Sequence, residues 1–216
     1  MHTLYWNRNS SSLAPMAVLE ETGTPYEAVW VDMATGAHKS PAHRARHPLG
    51  LVPVLTLPDG TTLIESAAIT AYCADLNPDA GLAPPIGSAD RGRYMQWLIY
   101  GAATIYTTYM RIYQLYDYRV REDDDHLIRA LAEQQLAERW RVVEDELSHN
   151  GGAFLLGEKP SAADIYLAML AGWHPDPPTF WDQSPRLKAM RDGVNRLDGL
   201  RRAVAVHFPG EDLRLG

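Results

Sequence analysis

A proline stands where a strand should begin. Residues 50–69 read Gly-Leu-Val-Pro-Val-Leu-Thr-Leu-Pro-Asp-Gly-Thr-Thr-Leu-Ile-Glu-Ser-Ala-Ala-Ile. Residues 54–57 have strand character, Pro58-Asp59-Gly60 supplies a turn, and residues 61–64 run back as the second arm of a hairpin. Glu65-Ser66 then opens a helix. Proline cannot donate to a ladder, so Pro53 confines the first arm to a strand start or a sheet edge. A cis bond before Pro53 would turn the Val52 backbone outward with its N–H and C=O unpaired, ready to accept an extended peptide as an added strand. The helix start at Ser66 offers free N–H groups and a positive dipole end to a carboxylate. The two features together would hold a short, acidic, extended peptide. Taken singly, Pro53 reads as a rigid turn and Ser66 as a plain cap.

The rest of the chain fits around this stretch. Residues 3–6 form a first strand. Ser11 or Ser12 caps a helix through Ala17-Val18-Leu19 that Gly23 ends, with Pro15 in its tolerant first turn. Residues 26–31 form a second strand, so strand, helix and strand make a parallel βαβ unit. Residues 33–47 are irregular with one helical turn. The turn-rich segment 77–85 marks a boundary, because every later signal is helical. One long helix is expected from Ser88 to Tyr116. A second opens at Asp123-Asp124-Asp125, where clustered carboxylates favour a helix N-terminus, and stops at Asn150-Gly151-Gly152. A shorter helix runs over 161–173, residues 175–178 form a loop, and two last helices cover 184–190 and 196–206. With 216 residues, two small domains are within reach.

Val-Pro-Val-Leu, a turn and Leu-Ile-Glu-Ser-Ala-Ala-Ile resemble the glutathione-binding half of the cytosolic glutathione transferases, in their bacterial, serine- or cysteine-loop form. Phe154-Leu155-Leu156-Gly157 followed by Ser161-Ala-Ala-Asp164 resembles the signature of that family's C-terminal domain. The resemblance implies a thioredoxin-like domain at 1–80, a linker at 81–87 and an all-helical domain at 88–216. It implies that Val52, before Pro53, pairs with the cysteinyl backbone of glutathione. It also implies that Glu65 and Ser66 hold the γ-glutamyl end, that His38 or Lys39 reaches the glycyl carboxylate, and that Ser12 completes the loop. Leu51 departs from the family, where a polar residue helps hold the tripeptide.

Chemistry can sit at Ser10-Ser11-Ser12, between the first strand and the first helix. A free cysteine thiol with a pKa of about 8.5 is only a few per cent thiolate at pH 7. A hydroxyl bonded to the thiolate contributes about 1.5–3 kcal/mol, which lowers that pKa by about one to two units. One serine therefore suffices to make a nucleophile, with no general base in the protein. Ser-Ser-Leu-Ala-Pro resembles the bacterial Cys-Ser-Leu-Ala loop with Ser11 in the cysteine's place; Ser10 matches the serine of other classes. Tyr5 is the rival, since Leu-Tyr-Trp resembles the strand end of tyrosine-type members. All three serines can also simply fill a turn. Tyr106, Tyr109, Tyr113 and Tyr116 share one helix face. Tyr106 and Tyr113, with Met110 and Trp173, are the candidates for an electrophile pocket, as that helix serves in the family; the alternative is a core or subunit stripe. Ser161 and Asp164 have the form of a capping box. His174, after Trp173, is read as a cap of the helix C-terminus.

Other classes recede. The histidines show no metal-ligand spacing, so no metal is expected. A net charge of −7 argues against nucleic acid as a partner. No apolar run spans a bilayer, no secretory leader opens the chain, and Cys73 is the lone cysteine, which fits a reducing cytoplasm. The expectation is a homodimeric glutathione transferase acting on small aromatic or apolar electrophiles, with glutathione as co-substrate. The alternatives are an isomerase, dehalogenase, etherase or peroxidase using the same thiol, or a non-catalytic binding protein of the same fold.

Overall fold

A computed structural model describes residues 1–210. Its N-terminal domain is built on a four-stranded mixed sheet in the order β2-β1-β3-β4, from β1 (His2–Trp6), β2 (Tyr26–Trp30), β3 (Val54–Thr56) and β4 (Thr62–Leu63). β1 and β2 are parallel, with Leu4 opposite Ala28, as a crossover through one helix requires. β3 runs antiparallel to β1, with Leu55 opposite Leu4, and β4 closes the hairpin. The crossover is α1 (Leu13–Glu21), buried at every position from Leu13 to Leu19. It packs with α3 (Ser66–Asp75) over the sheet, and Leu4, Met16, Leu55 and Ile69 are fully buried between them. The segment expected to be irregular with one helical turn holds two, a 3-10 turn at Ala37–Lys39 and one short helix, α2 (Pro41–Arg44), capped by Ser40 Oγ, which accepts from the His43 N–H at 3.3 Å.

Ser12 stands at the N-cap of α1, but its side chain does not cap the helix. Its hydroxyl instead donates to the Asn7 carbonyl at 3.2 Å and lies 2.5 Å from Ser10 Oγ, so it closes the preceding loop. The expectation of a serine side-chain cap is corrected here: the loop's own carbonyls compete for the hydroxyl.

The helical domain opens where Ser88 Oγ accepts from the Arg91 N–H at 3.3 Å, at the start of α4 (Ala89–Tyr100). The rod continues as a π-helical segment, Gly101–Tyr106, and then as α5 (Thr107–Tyr113). The single α-helix expected to residue 116 is thus corrected twice. Its middle is π-helical, and it stops at Tyr113. Tyr116 follows in a separate 3-10 turn, Leu115–Asp117, and is exposed. The π-helical segment opens at Gly101. A Cβ there would stand 2.9 Å from the Tyr166 ring, so the rod comes closer to its neighbour than a side chain permits.

α6 (Asp125–His149) begins at the aspartate cluster and ends before Gly151, whose φ is +75°. α7 (Ala162–Ala171) is buried at all its residues and forms the axis of the domain. Asp164 sits in its first turn, fully buried. Its carboxylate accepts from the Leu155 N–H (2.9 Å), the Ser161 N–H (2.8 Å) and the Ser161 hydroxyl (2.7 Å). Burial pushes this acid upward, and the three donors oppose that. α8 (Pro177–Gln183) replaces part of the loop expected at 175–178. Asp176 accepts from the Thr179 N–H and Pro177 occupies the first helical position, a start signal that the proline run concealed.

α9 (Pro185–Val194) and α10 (Asp198–His207) complete the chain. α10 crosses back onto α1. Arg202 pairs with Glu20 at 2.7 Å, the Gly199 N–H donates to Glu21 at 2.5 Å, and the His207 ring lies 4.8 Å from that of Trp6. At the linker, Arg91 grips the Asp75 carboxylate with two bonds of 2.6 and 2.7 Å. Residues 211–216, the polar end of the expected helical domain, lie outside the described residues. No helix among the described residues is long and apolar enough to cross a membrane.

Candidate active site

Two adjoining hollows lie where the sheet domain meets the helical rod. The smaller, ≈ 110 Å³, is lined by Ser11, His47, Leu51, Val52, Pro53, Glu65, Ser66, Ala102, Tyr106 and Tyr166. The larger, ≈ 680 Å³, shares Ser11, Leu51, Val52 and Tyr106 and extends to Ser10, Arg8, Met33, Met110, Tyr113, Trp173 and His174.

The floor of the smaller hollow follows from local geometry. The Val52-Pro53 peptide is cis. Val52 makes no backbone hydrogen bond to any described residue, so both its polar groups remain available. Glu65 precedes α3 with φ 71° and ψ 108°, a region that a residue with a Cβ enters only at a strain of about 1–3 kcal/mol. That turn brings the acid and the start of α3 to the same hollow. Ser66, nearly buried, has its Oγ 2.9 Å from the Tyr166 hydroxyl, across the domain boundary.

The serine run divides by partner. Ser10 donates to the Asn7 carbonyl at 2.7 Å, and Ser12 is held by the same carbonyl and by Ser10. Ser11 takes no part in these loop bonds. It lines both hollows, and its side chain meets the Tyr106 hydroxyl. Burial raises the Tyr106 phenol above its ordinary range, while the Ser11 contact works against this.

Met110, Tyr113 and Trp173 line the larger hollow with Tyr106. Tyr106 and Tyr109 stand edge-on to the Trp173 indole, with ring centroids 5.5 and 6.1 Å away, and the Tyr113 hydroxyl donates to the Trp173 carbonyl. Tyr109 itself is buried, hydrogen-bonded by the Trp140 indole N–H at 3.0 Å, and belongs to the core. His174 lines the same hollow rather than capping α7. Its ring stacks on Phe180 at 4.2 Å, and its Nδ1 lies 3.1 Å from the Asp176 carbonyl.

Four of the residues expected at the site do not line either hollow: Tyr5, Ser12, His38 and Lys39. Tyr5 stands under the Arg46 guanidinium, 4.6 Å from its centre, and edge-on to His43. Lys39 spends its ammonium inside its own loop, donating to the carbonyls of Leu49 (2.9 Å) and Gly50 (3.3 Å). Gly50, with φ +62°, closes that loop where a Cβ would collide with the His38 carbonyl. His38 adjoins this contact. His47, Ala102 and Tyr166 line the smaller hollow without having been singled out, and Arg8 is the one lysine or arginine lining the pair among the described residues. No local pattern marked out His47, which ends the segment expected to be irregular. It is buried, and that burial, with His43 nearby, depresses its basicity. Among the described residues there is no group of side chains that could hold a metal ion.

Comparison with known proteins gives a consistent result. Residues 12–76 match the model of the glutathione S-transferase N-terminal domain, and residues 108–203 that of the C-terminal domain. The chain is 34% identical over 173 residues to a maleylacetoacetate isomerase of Rhizobium meliloti, covering 76% of each chain. Among solved structures it resembles a glutathione transferase from Methylococcus capsulatus, with TM-score 0.83, 31% identity, and 96% and 98% of the two chains covered. It also resembles a sphingomonad glutathione S-transferase complexed with glutathione, with TM-score 0.79, 31% identity, and 95% and 98% covered.

Proposed function

The chain belongs to the glutathione S-transferase family, and from that premise we propose that it is a transferase in which Ser11 holds glutathione as thiolate for attack on small, flat, apolar electrophiles. One observation carries the serine choice: of the three hydroxyls, only that of Ser11 stands outside the loop's internal bonds and lines both hollows. In this reading glutathione lies extended along the smaller hollow. The unpaired Val52 backbone groups take the cysteinyl backbone, and Glu65 and Ser66 take the ammonium and carboxylate of the γ-glutamyl end. The thiol then falls beside Ser11, whose O–H donates to the sulfur. The electrophile enters the larger hollow, where Tyr106, Met110, Tyr113 and Trp173 offer aromatic and thioether surface. The sulfur forms the new bond as the leaving group departs with its electron pair, and the thiol proton is released to solvent.

The glycyl carboxylate has a different partner from the one expected. Lys39 is engaged within its loop, which leaves Arg8, whose guanidinium lies over the Trp30 ring at 5.6 Å, as the one lysine or arginine lining the hollows among the described residues. Family membership supports a homodimer, and the single buried cysteine supports a reducing cytoplasm.

Replacing Ser11 by Ala tests the assignment. Thiolate absorbance of bound glutathione, followed against pH, should show a thiol pKa higher by about one to two units than in the unaltered protein. Ser10→Ala and Tyr5→Phe should leave it in place. A shift in either of these instead of in Ser11→Ala defeats the choice of Ser11. The 34% identical relative named maleylacetoacetate isomerase supports a second reading, glutathione-dependent isomerisation, in which the same thiolate adds to an unsaturated acid and leaves again.

A further inference from the structure

We propose that Tyr166 is a positioning residue for ligand binding: it donates to Ser66 Oγ and so fixes the Ser66 hydroxyl as a donor toward an incoming carboxylate. This rests on the reading of the smaller hollow as the seat of the γ-glutamyl end.

The geometry carries it. The two oxygens are 2.9 Å apart, and between themselves either could donate. A carboxylate removes that freedom, because it only accepts. A serine hydroxyl has one proton, so Ser66 can donate to a carboxylate and keep its bond to Tyr166 only if Tyr166 gives its own proton to Ser66. Tyr166 suits this part. It is 1% exposed, and Ser66 is its one hydrogen-bond partner among the described residues, so no rival acceptor draws its proton away. Burial raises its pKa, which keeps the phenol protonated at any pH where glutathione is used. Successive donors polarise one another, so the Ser66 bond to the carboxylate is stronger with Tyr166 behind it.

The ring is also held from behind. Gly101 opens the π-helical segment, and a Cβ there would meet the Tyr166 ring at 2.9 and 3.1 Å. The missing side chain lets the rod press on the ring, and π segments recur where a helix serves a site. The line of contact runs from Gly101 through Tyr166 to Ser66, from the helical domain into the sheet domain.

Tyr166→Phe removes the hydroxyl and keeps the ring. Calorimetry should be run with glutathione and with its analogue lacking the γ-glutamyl carboxylate (4-aminobutyryl-cysteinyl-glycine). The variant should bind glutathione about 3- to 10-fold more weakly, the effect of one lost hydrogen bond. Its affinity for the analogue should equal that of the unaltered protein, a split that general loosening would not produce. Adding Tyr166→Phe to Ser66→Ala should change nothing further. A change below about twofold for glutathione, or equal losses for both ligands, overturns the proposal. As an independent measure, 3-fluorotyrosine at position 166, a more acidic donor, should tighten glutathione and leave the analogue unmoved; no change, or weaker binding, counts against it. Failure of the unaltered protein to bind millimolar glutathione overturns the reading of the site itself and this proposal with it.

Discussion

Glu65 places function and stability in opposition at a single residue. Its φ of 71° and ψ of 108° are strained for any side chain, yet they deliver the carboxylate to the smaller hollow. Glycine would relieve about 1–3 kcal/mol of strain and add about 0.5–1 kcal/mol of unfolded-state entropy. Glu65→Gly should therefore unfold at higher denaturant, by about 1 kcal/mol, while calorimetry shows glutathione binding weakened at least tenfold. Equal losses of stability and affinity would count against a strained site. The meeting of Val52, Glu65 and Ser66 in one lining was legible in the sequence because a strand start, a turn and a helix start lie within a short run of chain. Tyr166 was not, because its partner Ser66 is 100 residues away and no local pattern encodes that meeting. Lys39, which the resemblance brings forward for the glycyl carboxylate, shows the complementary limit: the carbonyls of Leu49 and Gly50 that engage its ammonium are a matter of loop closure, which no local pattern encodes.

At the scale of elements, order and type were legible and interruptions were not. The βαβ unit, the hairpin and the buried capping carboxylate Asp164 all followed from short-range signals. The break from α to π geometry at Gly101 did not, since periodicity over 88–116 is continuous with or without one extra residue in a turn. α8 was hidden among prolines although Asp176 and Pro177 have the cap and first-turn pattern. Gly101 gives the test at this scale. Alanine favours a helix interior over glycine by about 1 kcal/mol. Here its Cβ meets the Tyr166 ring at 2.9 Å and Leu167 at 3.1 Å, and overpacking of this kind destabilises by about 1–3 kcal/mol. Gly101→Ala should lower the unfolding free energy in urea despite its better propensity. A gain in stability would mean the contact yields easily.

At the scale of the molecule, α10 returns the end of the described chain to the first domain, and His207 lies in that seam. Its ring is fully buried beside Trp6, both nitrogens lack hydrogen-bond partners among the described residues, and burial pushes its pKa down to about 4 from 6.5. The depressed value sets the sign. Between pH 6.5 and 4 the unfolded chain takes the proton and the folded protein does not. Stability from this group is thus complete above pH 6.5 and lost progressively as pH falls to 4, by roughly 3 kcal/mol in all. Urea titrations should show that decline, and His207→Phe should flatten it; an unchanged slope would show that other groups govern acid unfolding. The same seam bears on Ser66 and Ser11, each of which meets a tyrosine from the opposite domain. A ligand seated there touches both halves at once and behaves as glue. At a hundred times its dissociation constant it adds about 2.7 kcal/mol to the work of pulling the halves apart. A protease nick in the linker would therefore leave two pieces that a filled cleft holds together more firmly than the packing of α10 on α1 does alone.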